Sequence, residues 1–437
     1  MTDRGALAAS IVRRLRDAGH TAYFAGGCVR DRLLDRVPQD YDVATSAPPE
    51  AVRRLFRRTV PVGMQFGVVL VFEHGCRFEV ATFRSDDAYV DGRRPSAVRF
   101  GSLEDDAARR DFTVNALYED PASGEVHDLV GGAADLSAGV IRAIGDPSAR
   151  IAEDRLRMLR AVRFAARLGF RIDADTHTAI VAAAPTLPDI AAERIGDEII
   201  KLLTEGGARR GFELLADTGL LDVVLPEVAR MRGVEQSADY HPEGDVWSHT
   251  LLLLDQLPAG APPTLALGAL LHDVAKPLRA GRNGDRITFY GHETVGADVA
   301  VAICQRLRRS RETWEQVDYL VRNHLRFLNA PAMRLATLKK MLAADGFDEL
   351  ARLARLDALA SNHELRFVLF CERRKAELGG AALRPPRLLG GTDLIAMGYS
   401  PGPRLGEILG AVGDAQLDGA IKTREDAEAF VRDRYPS

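Results

Sequence analysis

The sequence GGCVRD occupies residues 26–31, and DYDVAT follows it at residues 40–45. Residues 21–25 have the apolar character of a short buried strand, and residues 28–35 have a helical pattern. Glycines at such a strand-to-helix turn let the backbone approach a phosphate closely, and Arg30 can form a forked pair of hydrogen bonds with phosphate oxygens. Paired glycines alone are usually a tight turn, and DxD alone is often a surface strand. Together, in this order, they predict an α/β domain with a triphosphate site.

Three acidic residues of this region are candidate catalytic residues. Asp40 and Asp42 are two apart on a predicted strand, residues 39–45, so their side chains should point the same way. Glu79, inside the apolar predicted strand at residues 77–83, is the best-placed third carboxylate. Converging carboxylates repel one another unless cations lie between them, and two Mg²⁺ ions in such a cage support in-line attack on an α-phosphate. We therefore expect Asp40 and Asp42 to bind Mg²⁺.

Several motifs of the first 170 residues follow the order and spacing of a known family. GGCVRDRLL with DYDVAT resembles motif A of the class II tRNA nucleotidyltransferases and bacterial poly(A) polymerases, members of the polymerase β superfamily. RRDFTVNAL at residues 109–117 is similar to the family's RRDFTxNAL motif, and residues 128–142 resemble its middle motif. The resemblance implies nucleotide-binding roles for Gly26, Gly27, Arg30, Arg109, Arg110 and Asn115. Asp111 would orient the two arginines rather than bind metal.

Residues 153–164, EDRLRMLRAVRF, form a predicted helix with one charged face. The face carries Asp154, Arg157, Arg160, Arg163 and Arg167, three or four residues apart. A triphosphate and an RNA backbone would offset the repulsion between the arginines; the alternative is an exposed arginine-rich face. EDRLR resembles the family's EDxxR motif, which implies that Asp154 and Arg157 read the Watson–Crick edge of the incoming base. A carboxylate accepts from the amine of C or A, and we expect Arg160 and Arg163 to hold phosphate.

The rear half carries a second set of candidate ligands, in three predicted helical segments. This pattern resembles the HD superfamily of metal phosphohydrolases, in which a His, a His-Asp pair and a distal Asp bind a divalent metal. The corresponding residues are His249, His272, Asp273 and Asp357. Mixed imidazole and carboxylate ligands suit a transition metal such as Ni²⁺, Co²⁺ or Mn²⁺. Lys276 is a candidate phosphate holder, and His292 and His324 are either ligands of a second metal or hydrogen-bonded core histidines.

Composition indicates a globular, intracellular protein. The 437 residues include 46% hydrophobic and 27% charged residues, and the net charge is −4, so a nucleic-acid site must arise from local clustering. The four cysteines form no CxxC pair, which argues against a zinc knuckle or a disulfide framework. No signal-peptide core and no run of eighteen apolar residues is seen, so we expect a cytoplasmic protein without a membrane partner.

The pattern along the chain predicts an α/β nucleotidyltransferase head followed by an all-α neck, body and HD domain. We expect the head at residues 1–147 and a helical neck and body, holding the nucleotide template and tRNA, at residues 148–235. The HD domain is expected at residues 236–362 and a helical tail that binds tRNA at residues 363–437. The oligomeric state stays open.

The resemblance implies addition of CCA to the tRNA 3′ end from CTP and ATP. Residues 83–100 resemble the complete flexible loop of the family, which is shortened in CC-only enzymes, and residues 401–432 resemble the ends of HD-containing CCA enzymes. The alternatives are CC-only or A-only addition, poly(A) synthesis, and an HD nucleotide hydrolase whose head only binds RNA.

Overall fold

The chain forms two compact units, residues 1–229 and 230–437. The computed structural model describes residues 3–62, 66–86, 98–237, 244–284 and 286–436. Within these ranges, no helix combines the length and the apolar character that crossing a membrane requires.

The first unit contains a mixed sheet and a series of helices. Its strands are β1 (Ala22–Ala25), β2 (Asp42–Thr45), β3 (Thr59–Val60), β4 (Val68–Glu73), β5 (Cys76–Thr82), β6 (Arg84–Asp86), β7 (Val98–Phe100), β8 (Leu117–Glu119), β9 (Val126–Asp128), β10 (Val140–Ile141) and β11 (Arg171–Ile172). Its α-helices are α1 (Arg4–Asp17), α2 (Gly27–Leu33), α3 (Pro49–Leu55), α4 (Leu103–Ala108), α5 (Gly132–Ala138), α6 (Pro147–Glu153), α7 (Arg157–Leu168), α8 (Ala174–Ala183), α9 (Ala192–Thr204), α10 (Ala208–Asp217), α11 (Leu220–Val224) and α12 (Pro226–Ala229). Short 3₁₀ helices lie at Thr113–Asn115 and Ala184–Asp189.

The main sheet has seven strands in the order β3-β4-β5-β2-β1-β8-β9. The pairing of β2 with β5 is parallel, whereas the other neighbours are antiparallel. Alternate side chains such as Phe24, Val71 and Phe78 are buried in the core, as a sheet with one covered face requires. The α/β head and the helical stretch behind it agree with the predicted fold class.

Two predicted elements differ from the structure at functionally important positions. The strand expected at residues 39–45 begins only at Asp42, so Asp40 precedes it. The prediction of one continuous helix over residues 153–164 was wrong. Helix α6 ends at Glu153, and Asp154 has an extended backbone, with φ −145° and ψ 102°. Asp154 Oδ1 accepts a hydrogen bond from the Leu156 amide at 3.1 Å, because a short carboxylate competes with the helix for backbone donors. The chain therefore turns before α7.

The described part of the second unit consists of helices and a β-hairpin. Its helices are α13 (Val246–Asp255), α14 (Pro263–Leu271), α15 (Lys276–Arg279), α16 (His292–Arg306), α17 (Arg311–Asn323), α18 (Arg326–Asn329), α19 (Leu335–Ala343), α20 (Phe347–Ala360), α21 (Arg366–Leu383), α22 (Gly391–Ala396), α23 (Pro403–Leu417) and α24 (Arg424–Arg434), with a 3₁₀ helix at Ala330–Ala332. The hairpin consists of β12 (Gly281–Asn283) and β13 (Arg286–Thr288), and it was not among the predicted elements. Helices α22–α24 share an apolar cluster that includes Leu394, Ile408 and Val431.

Candidate nucleotide site and candidate metal centre

A cleft of about 800 Å³ in the first unit brings most of the predicted head residues together. Its lining includes Gly26, Gly27, Arg30, Asp42, Glu79, Arg109, Arg110, Asp111, Asn115, Asp154, Arg157, Arg160 and Arg194. Two residues predicted from the sequence, Asp40 and Arg163, are not part of this lining.

The glycine turn between β1 and α2 forms one wall of the cleft. Gly26 has φ +71°, a conformation that side-chain-bearing residues rarely adopt. A Cβ at this position would lie 2.9 Å from Nη1 of Arg110. Glycine therefore allows both the turn and the approach of the Arg110 guanidinium to the backbone.

The acidic edge of the cleft is built by two neighbouring parallel strands. Asp42 on β2 is the register partner of Glu79 on β5, so their carboxylates share one face of the sheet. Although Asp42 is exposed at the cleft, partial loss of solvent, and then repulsion from Glu79, raises the pKa of Asp42 to about 6. Two facing carboxylates with this mutual repulsion fit a divalent cation.

The carboxylate of Asp40 has a different partner from those of Asp42 and Glu79. Its carboxylate forms an ion pair with Arg4 at 3.0 Å and is 76% exposed. Among the described residues, groups of three potential ligand atoms within 4.8 Å of one another are found only in the second unit. Asp40 would have to exchange Arg4 for a cation to complete the predicted magnesium cage.

A buried carboxylate that was not among the predicted site residues holds the arginine pair. Asp106, 1% exposed, binds Arg109 through Oδ1 at 2.5 Å and Arg110 through Oδ2 at 3.1 Å. The hydroxyl of Tyr118 donates to the same carboxylate at 2.7 Å. Burial alone would raise the pKa of Asp106, but the two guanidiniums outweigh it and lower that pKa. The signal was an acidic residue of α4 three and four positions before the two arginines that follow the helix end.

Asp111 contacts Arg160 and Asn115, whereas the expected partners were the arginines at residues 109–110. Its Oδ2 accepts hydrogen bonds from Arg160 Nε and Nη2 at 2.8 and 2.6 Å, and its Oδ1 accepts from Asn115 Nδ2 at 3.0 Å. Asn115 Oδ1 in turn accepts from Arg30 Nη1 at 2.6 Å. Although burial opposes it, the Arg160 charge lowers the pKa of Asp111 to about 2. The network fixes Arg160, Asn115 and Arg30 before a nucleotide arrives.

The two residues expected to read the base have protein partners at the cleft wall. Asp154 Oδ2 lies 2.8 Å from Arg194 Nη2 of α9, and Arg194 was not among the predicted site residues. Arg157 forms an ion pair with Glu153 and donates to the backbone oxygen of Arg150 at 2.6 Å. Both partners hold these side chains at the cleft without filling it.

Arg163 is directed away from the cleft. It is 5% exposed and forms ion pairs with Glu198 at 2.7 Å and with Glu205 at 2.9 Å. Arg167 also binds Glu205, at 3.5 Å. Protein carboxylates thus offset much of the repulsion between the arginines that a triphosphate and RNA were expected to offset, and the Arg163–Glu198 ion pair connects α7 with α9.

In the second unit, the predicted HD ligands converge. His249 Nε2 lies 3.0 Å from Asp357 Oδ1 and 3.3 Å from His272 Nε2. His272 Nε2 lies 3.1 Å from Asp273 Oδ2. These residues come from α13, the end of α14 and α20, so the packing of three helices builds the cluster.

The two additional histidines join the same cluster through Asp273. His292 Nε2 is 3.2 Å and His324 Nε2 is 3.8 Å from Asp273 Oδ1. Each of the two groups, His249 with His272 and Asp357, and Asp273 with His292 and His324, has ligand atoms within 4.8 Å of one another.

Backbone contacts set the orientation of three imidazole rings. The Nδ1 atoms of His272, His292 and His324 lie 2.9, 2.8 and 2.7 Å from backbone carbonyl oxygens. Nδ1–H therefore donates outward and the Nε2 lone pair faces the cluster, as in metal-binding histidines. Burial, and then the neighbouring His272, lowers the pKa of His324 to about 4, which keeps that ring neutral at physiological pH.

Two buried atoms of the cluster lack a suitable partner. Among the described residues, Asp273 Oδ1 and His292 Nε2 make no hydrogen bond of acceptable geometry. Since unsatisfied buried polar atoms are costly, these atoms and the converging lone pairs fit a divalent cation. Lys276 closes one side, with Nζ 2.6 Å from Asp273 Oδ2.

Comparison with known proteins agrees with this division. Residues 22–142 match the family described as "Poly A polymerase head domain", and residues 169–231 match "Probable RNA and SrmB- binding site of polymerase A". Residues 244–368 match "HD domain".

Similar proteins cover the chain to different extents. A CCA-adding enzyme of Leuconostoc mesenteroides is 51% identical over 205 residues, which span about half of each protein (47% of this chain and 51% of the relative). A CCA-adding enzyme of Streptococcus gordonii is 34% identical over 433 residues, 97% of this chain and 96% of the relative. The crystal structure of the Bacillus stearothermophilus CCA-adding enzyme in complex with CTP matches with a TM-score of 0.76 and 28% identity, covering 99% of this chain and 98% of the other. The chain therefore belongs to the CCA-adding enzyme family of nucleotidyltransferases.

Proposed function

We propose that the first unit adds CCA to the 3′ end of tRNA from CTP and ATP. The observation that supports this is one cleft lined by the carboxylates of Asp42 and Glu79, by the arginine pair at residues 109–110, and by Asp154 with Arg157. Each pair suits one part of the reaction, and the relatives described above are CCA-adding enzymes.

In the reaction, the 3′ oxygen of the RNA attacks the α-phosphorus of the nucleotide. The new phosphorus–oxygen bond forms as the bond to pyrophosphate breaks, and the hydroxyl proton passes to solvent. Asp42 and Glu79, joined by Asp40, would hold Mg²⁺, which supplies charge stabilisation at the α-phosphate. Arg109 and Arg110 offer forked donors to the triphosphate, beside the glycine turn.

Base selection is assigned to Asp154 and Arg157. The Asp154 carboxylate accepts from the exocyclic amine of C or A, and the Arg157 guanidinium donates to an acceptor of the ring. U and G present a carbonyl oxygen where C and A present the amine, so two acceptors would face each other. Arg194 holds the Asp154 carboxylate in place through Oδ2, and the remaining lone pairs of the two carboxylate oxygens can accept from the base.

The loop at residues 83–100 favours complete CCA addition over CC addition. Its ends pair as antiparallel strands, with Arg84 opposite Phe100, and residues 87–97 lie outside the described residues. In the family that the chain resembles, this loop is shortened in CC-only enzymes, so its full length in the sequence supports complete CCA addition.

Primer extension distinguishes the activities. Transcripts of tRNA that lack CCA, end in C or end in CC are incubated with CTP alone, ATP alone or both. We expect CTP alone to extend the first two to CC, and ATP to be added only to CC. Addition of C only, of A only to every transcript, or of a long A tail would assign the chain to one of the alternative activities.

We propose in addition that the second unit is a metal-dependent phosphohydrolase acting on terminal or 2′,3′-cyclic phosphates. His249, His272, Asp273 and Asp357 would hold a divalent transition metal such as Ni²⁺, Co²⁺ or Mn²⁺, which supplies Lewis-acid activation. Hydrolysis adds water across one ester bond: its oxygen bonds to phosphorus, the ribose oxygen leaves, and that oxygen takes a proton. Because a blocked 3′ end cannot attack a nucleotide, this reaction would prepare damaged tRNA for extension.

Chelation followed by metal add-back tests this activity. The substrates are 2′,3′-cyclic AMP and p-nitrophenyl phosphate, and Asp273→Ala is the negative control. We expect hydrolysis that depends on the added metal and is lost in Asp273→Ala. Hydrolysis by Asp273→Ala at the wild-type rate, or no stimulation by any of the three metals, would contradict the proposal.

A further inference from the structure

A pocket of about 410 Å³ lies beside the candidate metal centre of the second unit. Its lining includes Lys276 and His292, which also belong to the metal cluster, together with Phe289 and Tyr290. The volume falls in the range of about 300–1,000 Å³ that small-molecule sites occupy. Because His292 faces both spaces, a phosphate at the cluster would direct the rest of its ester into this pocket.

Tyr290 is an aromatic residue that the fold positions but does not cover. Its side chain is 74% exposed, although its backbone oxygen accepts a hydrogen bond from Arg279 Nε at 3.1 Å. The following Gly291 has φ +75°, and a Cβ there would lie 2.9 Å from Arg279 Nη2. Glycine and Arg279 thus fix the turn into α16, which holds the tyrosine at the pocket while its ring faces water.

Behind the pocket wall, the lining residue Lys276 contacts a buried amide, Gln236, which precedes the lining residue Ser237 in the chain. Lys276 Nζ lies 2.6 Å from Gln236 Oε1, and both side chains are more than nine-tenths buried. Gln236 Nε2 has no hydrogen-bond partner among the residues that the structure describes. A buried amide without an acceptor is unfavourable, and an oxygen of a phosphate or a ribose would satisfy it.

We propose that this pocket binds the nucleoside part of a ribonucleotide phosphate ester, with its base stacked on Tyr290. Gln236 and Lys276 donate to oxygens of the ribose phosphate, next to the cluster that holds the reacting phosphorus. This inference rests on the phosphohydrolase activity proposed above. The ligand is a nucleoside with a 2′, 3′ or 2′,3′-cyclic phosphate, either free or as the last residue of an RNA.

The pocket therefore discriminates between phosphate esters with and without a base. Stacking on an aromatic ring tolerates every base, because each has a π-face. An ester such as β-glycerophosphate could reach the cluster but would leave the Tyr290 ring in water. The site is thus expected to bind nucleotides of any base more tightly than small phosphate esters.

Steady-state kinetics of the metal-loaded full-length chain measures this preference. The variants are Tyr290→Ala, Tyr290→Phe and, as a matched control, Leu278→Ala, which removes an exposed apolar side chain of the same unit. For 2′,3′-cyclic AMP, we expect Tyr290→Ala to raise KM about 5- to 140-fold, the range that loss of one stacked base represents. Tyr290→Phe and Leu278→Ala should match wild type, and KM for β-glycerophosphate should not change.

A binding measurement that does not depend on hydrolysis completes the test. The probe is 2-aminopurine riboside 3′-monophosphate, whose fluorescence falls on stacking, used free and as the 3′ end of a short RNA. We expect wild type and Tyr290→Phe to quench it more than Tyr290→Ala. Because nucleotide binding in the first unit does not involve Tyr290, the difference between variants reports this pocket. Stronger binding of one probe form identifies free nucleotide or RNA end as the source.

The outcomes separate the two proposals. If wild type hydrolyses neither substrate but Tyr290→Ala loses quenching, the subsite stands and the phosphohydrolase proposal fails. If hydrolysis occurs but Tyr290→Ala equals wild type in KM and quenching, the phosphohydrolase stands and the subsite is refuted. Equal losses in Tyr290→Ala and Leu278→Ala, or no quenching by wild type, would also refute the subsite.

Discussion

Replacing the buried Asp106 by asparagine should destabilise the first unit and displace both arginines that it holds at the cleft. The substitution keeps the shape but removes the charge that faces Arg109 and Arg110. Breaking a buried ion pair costs about 3–5 kcal/mol, and we take the lower end, about 3 kcal/mol, because the guanidiniums are 19–20% exposed. For a unit of this size that corresponds to a Tm roughly 6–12 °C lower.

In the same variant, the catalytic efficiency with CTP should change more than the KM for tRNA. A displacement of about 1 Å in a positioning group can cost about 100-fold in rate, so we expect Asp106→Asn to lower kcat/KM for CTP about 10- to 100-fold while KM for tRNA stays near wild type. The assay is CTP incorporation into tRNA lacking CCA, together with thermal unfolding by circular dichroism. Glu104→Gln, an exposed acid-to-amide change on the same helix, is the matched control. The reasoning is refuted if Asp106→Asn equals Glu104→Gln in both Tm and kcat/KM.

Three further predictions concern base choice, the loop and pH. Asp154→Ala and Arg157→Ala should raise misincorporation of U or G, because about 1–3 kcal/mol of base discrimination is lost. Competition between nucleotides in one reaction measures this loss. If the variants lose nucleotide affinity but keep their selectivity, the two residues hold phosphate and do not read the base. Shortening the loop at residues 83–100 should leave products ending in CC, whereas full CCA products would exclude its role in the switch. The pKa of Asp42 is raised from 3.8 to about 6, so its contribution to stability falls as pH rises between these values. Asp42→Asn should therefore raise Tm at pH 7.5 without Mg²⁺ but not at pH 4, and an unchanged Tm at pH 7.5 would contradict the shift.

Local sequence patterns were sufficient to predict the fold class and many residues of the candidate sites. The glycine turn at Gly26 and the strands around Asp42 and Glu79 depend on φ preferences and on a period of two, both readable in a single sequence. The His272-Asp273 pair, flanked by apolar helical segments, likewise indicated the candidate metal centre, because buried imidazole and carboxylate groups require partners.

Contacts between distant residues could not be read in the same way. Arg163 pairs with Glu198, 35 positions later, and only tertiary packing decides that this arginine faces a carboxylate rather than the cleft. Asp154 breaks the expected neck helix through a side-chain hydrogen bond that outcompetes helix periodicity. Arg194 joins Asp154 from a separate helix, so its place at the cleft follows from the fold alone.

The most direct test of the central claim is the sequence that the protein adds to tRNA. A transcript lacking CCA is incubated with all four nucleotides and Mg²⁺, and the extended 3′ ends are sequenced, with Asp42→Ala as the inactive control. We expect C, C and A in that order, followed by termination, and no addition by Asp42→Ala. Tails of repeated A, ends containing U or G at the wild-type level of C and A, or full activity in Asp42→Ala would contradict the account.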